Sequence, residues 1–131
     1  MEKVILQPVV NSISTKTVNG VFDLSEYEPA EPSCFEIVVE ICVGINLKNG
    51  QAEEHFEVTV CTPQWIANSL KENDVLMGHG LLITTKYSYL KVVEKIESYV
   101  KRCYGNRIDD VIRRVGLLGE WEAEWEINLV K

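Results

Sequence analysis

The sequence predicts an α+β fold, an antiparallel β-sheet with two to three helices packed on one face. Two early segments alternate apolar and polar residues at a period of two. Two later segments repeat apolar residues at helical spacing. Strands come early and helices mostly in the second half, an order that suits helices laid against one side of a sheet. The 131 residues fall within the range of one domain, and residues 1–131 are read as a single domain around one core.

Taken in order, the first landmark is Glu26 to Pro32 (EYEPAEP), where two prolines in an acidic stretch break any regular pattern. This segment joins an N-terminal strand region to the main sheet. From Phe35 to Ile45, apolar residues occupy alternate positions (Phe35, Ile37, Val39, Ile41, Val43, Ile45), with Glu36, Glu40 and Gly44 among those between. That is a strand with one buried face. A second strand covers about Glu54 to Cys61, with Phe56, Val58 and Val60 inward. Lys48-Asn49-Gly50 lies between the two, and Asn-Gly is a strong hairpin signal because both residues tolerate positive φ. The outer face of this hairpin carries Glu36, Glu40, Glu57 and either Glu53 or its neighbours.

Thr62-Pro63 starts a helix, with threonine as the N-cap and proline at the first helical position. Trp65, Ile66, Ser69 and Leu70 follow at helical spacing, and Asn73-Asp74 ends the segment. Leu81 to Lys86 reads as a short strand after the turn Gly78-His79-Gly80. Ser88 to Tyr104 is the best helix, with Tyr89, Val92, Val93, Ile96, Tyr99, Val100 and Cys103 in one stripe and Gly105 at its C′ position. Asn106 is read as the cap of a shorter helix whose inner face is Ile108, Val111, Ile112 and Val115. The closing segment, Glu120 to Ile127, alternates again: Trp121, Ala123, Trp125 and Ile127 on one side, Glu120, Glu122, Glu124 and Glu126 on the other. Carboxylates spaced two apart repel one another. Such a strand discourages unwanted edge pairing and also offers a surface to a basic partner.

Charge narrows the function classes. The formal net charge is −7, which argues against nucleic acid as a partner, since phosphate binding relies on Lys and Arg. Residues 1–61 hold ten acidic and three basic side chains, and residues 62–131 hold ten of each, so the excess lies in the first half. It is either a solvated surface or an acidic face for a basic partner. No stretch approaches the roughly 20 apolar residues of a membrane span. The N-terminus, MEKVILQPVV, carries one lysine, no long apolar run and no small-residue cleavage site. The expected compartment is therefore the cytoplasm, with Cys34, Cys42, Cys61 and Cys103 as thiols.

The search for chemistry yields little. There is no Cys-x-x-Cys and no His-x-x-x-His, so no metal site and no cofactor is expected. Cys42 and His55 face each other across the hairpin in one of two plausible registers, but one thiol and one imidazole do not make a site. Cys61 stands at a strand-to-helix junction, where a helix N-terminus can lower a thiol pKa, but a cysteine ending a buried strand is ordinarily core. Gly78-His79-Gly80 lacks the lysine and hydroxyl of a phosphate loop. Trp121 and Trp125 share the apolar side of their strand and read as core, and Lys86 to Arg114 reads as the solvated face of helices. No catalytic residue emerges, and the expectation is a protein that is not an enzyme.

The stretches VCTPQWI (60–66), HGLLITTKYSY (79–89) and GEWEAEWEI (119–127) together resemble the immunity protein 8 family of bacterial polymorphic toxin systems. The resemblance rests on Cys61, Thr62, Pro63 and Trp65, then Leu82, Ile83 and Tyr89, then Trp121, Glu122 and Glu124. It implies a cytoplasmic inhibitor that binds a cognate toxin domain by direct contact and blocks it, with no reaction. A basic nuclease is one toxin the acidic surface would suit, because complementary charge speeds association. Combined with the charge pattern, it makes Glu36, Glu40, Glu57, Glu122 and Glu124 the expected partner-binding residues. The expected oligomeric state is a monomer or weak homodimer. The alternative is a small-molecule-binding or regulatory α+β domain without catalysis, with a pocket lined by Trp65, Trp121 and tyrosines.

Overall fold

The computed structural model describes residues 4–73 and 75–122. The elements are β1 (Pro8–Thr17), β2 (Gly20–Asp23), β3 (Glu36–Leu47), β4 (Gly50–Cys61), α1 (Pro63–Asn73), β5 (Leu81–Ile83), α2 (Tyr89–Lys101), α3 (Ile108–Val115) and β6 (Glu120–Trp121). The sheet runs β2-β1-β3-β4-β5, with β6 also on β4. Since β3 occupies one edge of β4 along its whole length, β5 and β6 share the other, at residues 59–61 and 56–57 respectively. Pairing is antiparallel except for β5, which returns parallel to β4 after the α1 crossover.

The β3–β4 hairpin extends further than its alternation suggested. Leu47 pairs with Gly50, so the loop is Lys48-Asn49 and Gly50 opens β4 with φ of 140°. The N-terminal region forms its own hairpin, β1–β2, and β1 lies against β3 with an irregularity between Val10 and Ser12.

One side of the sheet carries the core. Val39, Ile41, Val43 and Ile45 of β3 and Phe56, Val58 and Val60 of β4 are buried against Val92, Ile96 and Val100 of α2 and Val111 and Val115 of α3. These are the helical stripes the sequence marks. Trp65, Ile66 and Leu70 of α1 are half-buried and outside this cluster.

Two helix ends differ from expectation. α2 stops at Lys101, and Gly105 pairs its backbone with Leu6 instead of closing the helix. α3 begins after Arg107, which supplies no side-chain cap, so Asn106 is not the cap. At the other starts the sequence signals hold: the Thr62 and Ser88 hydroxyls accept from Trp65 N–H (3.3 Å) and Lys91 N–H (3.4 Å). The closing strand is Glu120–Trp121; the expected continuation from Ala123 to Ile127 lies outside the described residues.

Candidate functional site

With side chains alternating along a strand, the core face takes Ile37 to Ile45 and leaves Glu36, Val38, Glu40, Cys42 and Gly44 on the face away from α2 and α3. On β4 the matching positions are Glu53, His55, Glu57, Thr59 and Cys61. The register sets them in pairs: Glu40 opposite Glu57, Cys42 opposite His55, Gly44 opposite Glu53. On the far side Glu57 is opposite Glu120 of β6. Glu40, Glu57 and Glu120 thus form a row of carboxylates across three neighbouring strands.

Directly opposed like charges destabilise a sheet. Part of that is relieved by His55, whose Nδ1 lies 2.9 Å from Glu40 Oε1. Glu36 and Glu57 have no Lys or Arg within ion-pairing distance among the described residues. Glu122 follows Trp121 back onto this face. Partial desolvation, the charge of Glu40 and a hydrogen bond to it push the Glu122 carboxyl above the usual range, and His55 opposes that rise. The core side of the same strand is anchored by Trp121, opposite Phe56, whose indole N–H donates to Glu54 Oε2 at 2.9 Å.

The five expected partner-binding residues therefore fall as follows. Glu40, Glu57 and Glu122 are brought together. Glu36 shares their face but stands at the start of β3, opposite Cys61 and four residues from Glu40, roughly 13 Å along the strand. Glu124 lies outside the described residues. The structure adds Glu120, Glu53, Cys42 and His55. The alternation already pointed Glu120 outward, whereas the place of His55 depended on a register that alternation alone does not fix.

Cys61 is fully buried, and burial, then the charge of Glu36, pushes its thiol up. That is the reverse of an activated nucleophile. Trp65 and Trp121 are absent from the lining of two surface clefts. An open groove between the start of β1 and α2 is lined by Gln7, Val9, Val10, Leu90 and Val93 among others, without an aromatic residue. Tyr27, Tyr87 and Tyr89 line a separate shallow cleft.

A family model described as immunity protein 8 matches residues 11–125, most of the chain. The chain belongs to the immunity protein 8 family. The match runs from within β1 through β6, so the acidic face lies within the family domain. Comparison with curated proteins and with solved structures yields no match. Membership makes this an immunity protein of a toxin system whose partner is a toxin. Among the described residues no helix is long and apolar enough to cross a membrane.

Proposed function

We propose that this chain neutralises a cognate toxin domain stoichiometrically and without catalysis, by docking the carboxylate face of its sheet onto a basic surface of the toxin. The observation that supports it is the Glu40–Glu57–Glu120 row. Charges opposed in this way cost the isolated protein stability, and a cationic partner would turn that cost into binding energy. Glu122 extends the row, Glu36 flanks it, and Glu124 is proposed as the continuation. A toxin that handles nucleic acid, and so carries a basic surface, fits this chemistry best. The protein acts in the cytoplasm, as a monomer or weak homodimer, where it meets its toxin before harm is done.

The direct test is growth rescue. The toxin domain encoded beside this gene is expressed with and without the chain, and the purified pair is mixed. Rescue together with a tight complex is expected. Reversing Glu36, Glu40, Glu57, Glu122 and Glu124 to lysine should slow association by about ten- to a thousand-fold and remove or invert its salt dependence. If rescue occurs but the reversed variant binds with unchanged rate and salt dependence, the chain is an inhibitor that uses another surface. If active toxin and folded chain neither bind nor rescue, the pairing itself is wrong.

A further inference from the structure

The face away from the helices also holds three different donor types in one place. Cys42 Sγ, a Glu53 carboxylate oxygen and a His55 ring nitrogen all lie within 4.8 Å of one another. From the cluster of Cys42, Glu53 and His55, braced by Asn11 and Glu40, we propose that this face binds a thiophilic divalent metal ion of the zinc class.

The register produces the cluster. Cys42 and His55 are directly opposed and Glu53 is the diagonal neighbour of Cys42, so three side chains converge from adjacent strands on a rigid part of the sheet. Tetrahedral zinc with sulfur, nitrogen and oxygen ligands needs donors about 3.3–3.7 Å apart, so rotamer adjustment without backbone movement closes the site. A thiolate with an imidazole and one carboxylate selects zinc-like ions over magnesium or calcium, which take oxygen ligands. The fourth position opens to solvent past His55 and Glu53, which are half-buried and exposed respectively.

Each donor is also held from behind, as ligands of metal sites are. Glu40 Oε1 sits 2.9 Å from His55 Nδ1, the carboxylate–histidine arrangement that fixes a ring and, in the proposed site, makes Nε2 the ligand atom. Asn11 sits where β1 shifts register against β3, between Val10 and Ser12. Its amide reaches over β3 to donate to Glu53 Oε1 (3.2 Å) and Gln51 Oε1 (2.8 Å). Gly44 lies in its way and has no side chain; the space a Cβ there would need is filled by Gln51. Ser12, next to that irregularity and paired with Cys42 across the strands, stands beside the thiol. Bulges that re-aim a side chain are frequent beside functional sites. Glu40 belongs both to the carboxylate row and to this bracing, but metal binding does not depend on any toxin.

Cobalt reports the ligands directly. The full chain, stripped with chelator and kept reduced, is titrated with Co²⁺ and then with Zn²⁺. One equivalent of cobalt should give a thiolate-to-cobalt charge-transfer band and visible bands of tetrahedral intensity, both erased by zinc. C42S should lose the charge-transfer band. E53Q and H55Q should each weaken binding by about tenfold or more, and E40Q, a positioning change, by about tenfold with the tetrahedral spectrum kept. C34S, outside the cluster, should match the unchanged chain. Glu53 is exposed, so E53Q keeps the test valid should C42S fold poorly, and metal-free circular dichroism checks each variant. Absence of the spectrum at one equivalent, its survival in a folded C42S, or equal loss in C34S overturns the site.

Discussion

At the scale of single residues, the carboxylate face stores a measurable tension. The folded state raises the Glu122 carboxyl, through desolvation and through Glu40, against a smaller opposing pull from His55 and with a further push from Glu57. A raised acid pKa means the folded chain binds a proton more readily than the unfolded one. The stability this gives is complete below the unfolded carboxyl pKa and is lost as pH rises through the folded one. Near neutral pH the ionised Glu122 therefore works against folding, and E122Q should melt higher than the unchanged chain at about pH 7 to 8. The difference should shrink toward about pH 4, as thermal melts across that range would show. The same scale governs the thiols. Burial is the first cause of the raised thiol pKa at Cys42, Cys61 and Cys103, whereas Cys34 is half-buried, with Asn68 Nδ2 at 3.7 Å from its sulfur. Iodoacetamide under native conditions should modify Cys34 first, and mass mapping should find the other three only on unfolding. Early labelling of Cys61 would reopen the case for a cysteine enzyme.

At the scale of elements, two junctions decide how the acidic face is assembled. Thr62 is fully buried and its hydroxyl accepts from two backbone donors, Phe35 N–H at 3.2 Å and Trp65 N–H at 3.3 Å. One side chain thus caps α1 and ties in the start of β3. T62A should cost about 1–2 kcal/mol in urea unfolding and T62S much less. Gly119 delivers the chain to β6, and a Cβ there would collide with the backbone carbonyl of Glu57. Since backbone cannot yield as a side-chain tip can, G119A should cost about 1–3 kcal/mol. It should also loosen Trp121 from Glu54, visible as a change in near-ultraviolet circular dichroism. Much of this was legible in the sequence. The alternation of Phe35 to Ile45 and the stripes of α2 and α3 identified the buried faces, because burial imposes the periods of two and 3.6 directly. Which residues oppose one another was not legible. A turn of Asn49-Gly50 and the observed Lys48-Asn49 place the same residues on the same faces yet differ by two in register. Only the observed one opposes Glu40 to Glu57 and Cys42 to His55. The Asn106 cap failed for a related reason: a capping residue is chosen by where packing lets the helix begin, and here that is after Arg107.

At the scale of the molecule, charge and core are segregated. The first half of the chain supplies both central strands and the whole net charge of −7. The second half supplies the helices that bury the opposite side of those strands. The acidity is therefore displayed on a surface that the same strands hold rigid from behind, the arrangement in which fixed charges steer a partner with little reorganisation. It also bears on domain organisation. Ile13 of β1, Ile41 of β3, Phe56 of β4, Ile96 of α2 and Val111 of α3 belong to one buried cluster, so no large part of the sheet can lose its packing while the helices keep theirs. We therefore expect residues 1–131 to unfold as one unit. Far-ultraviolet circular dichroism and tryptophan fluorescence should give coincident urea transitions. I96A, which hollows the cluster beneath the carboxylate face, should cost about 2–5 kcal/mol of stability and lower both midpoints together. Transitions that separate, with one probe insensitive to I96A, would mean that the strands and helices fold as distinct units. The acidic face would then lack the rigid backing on which the proposed steering depends.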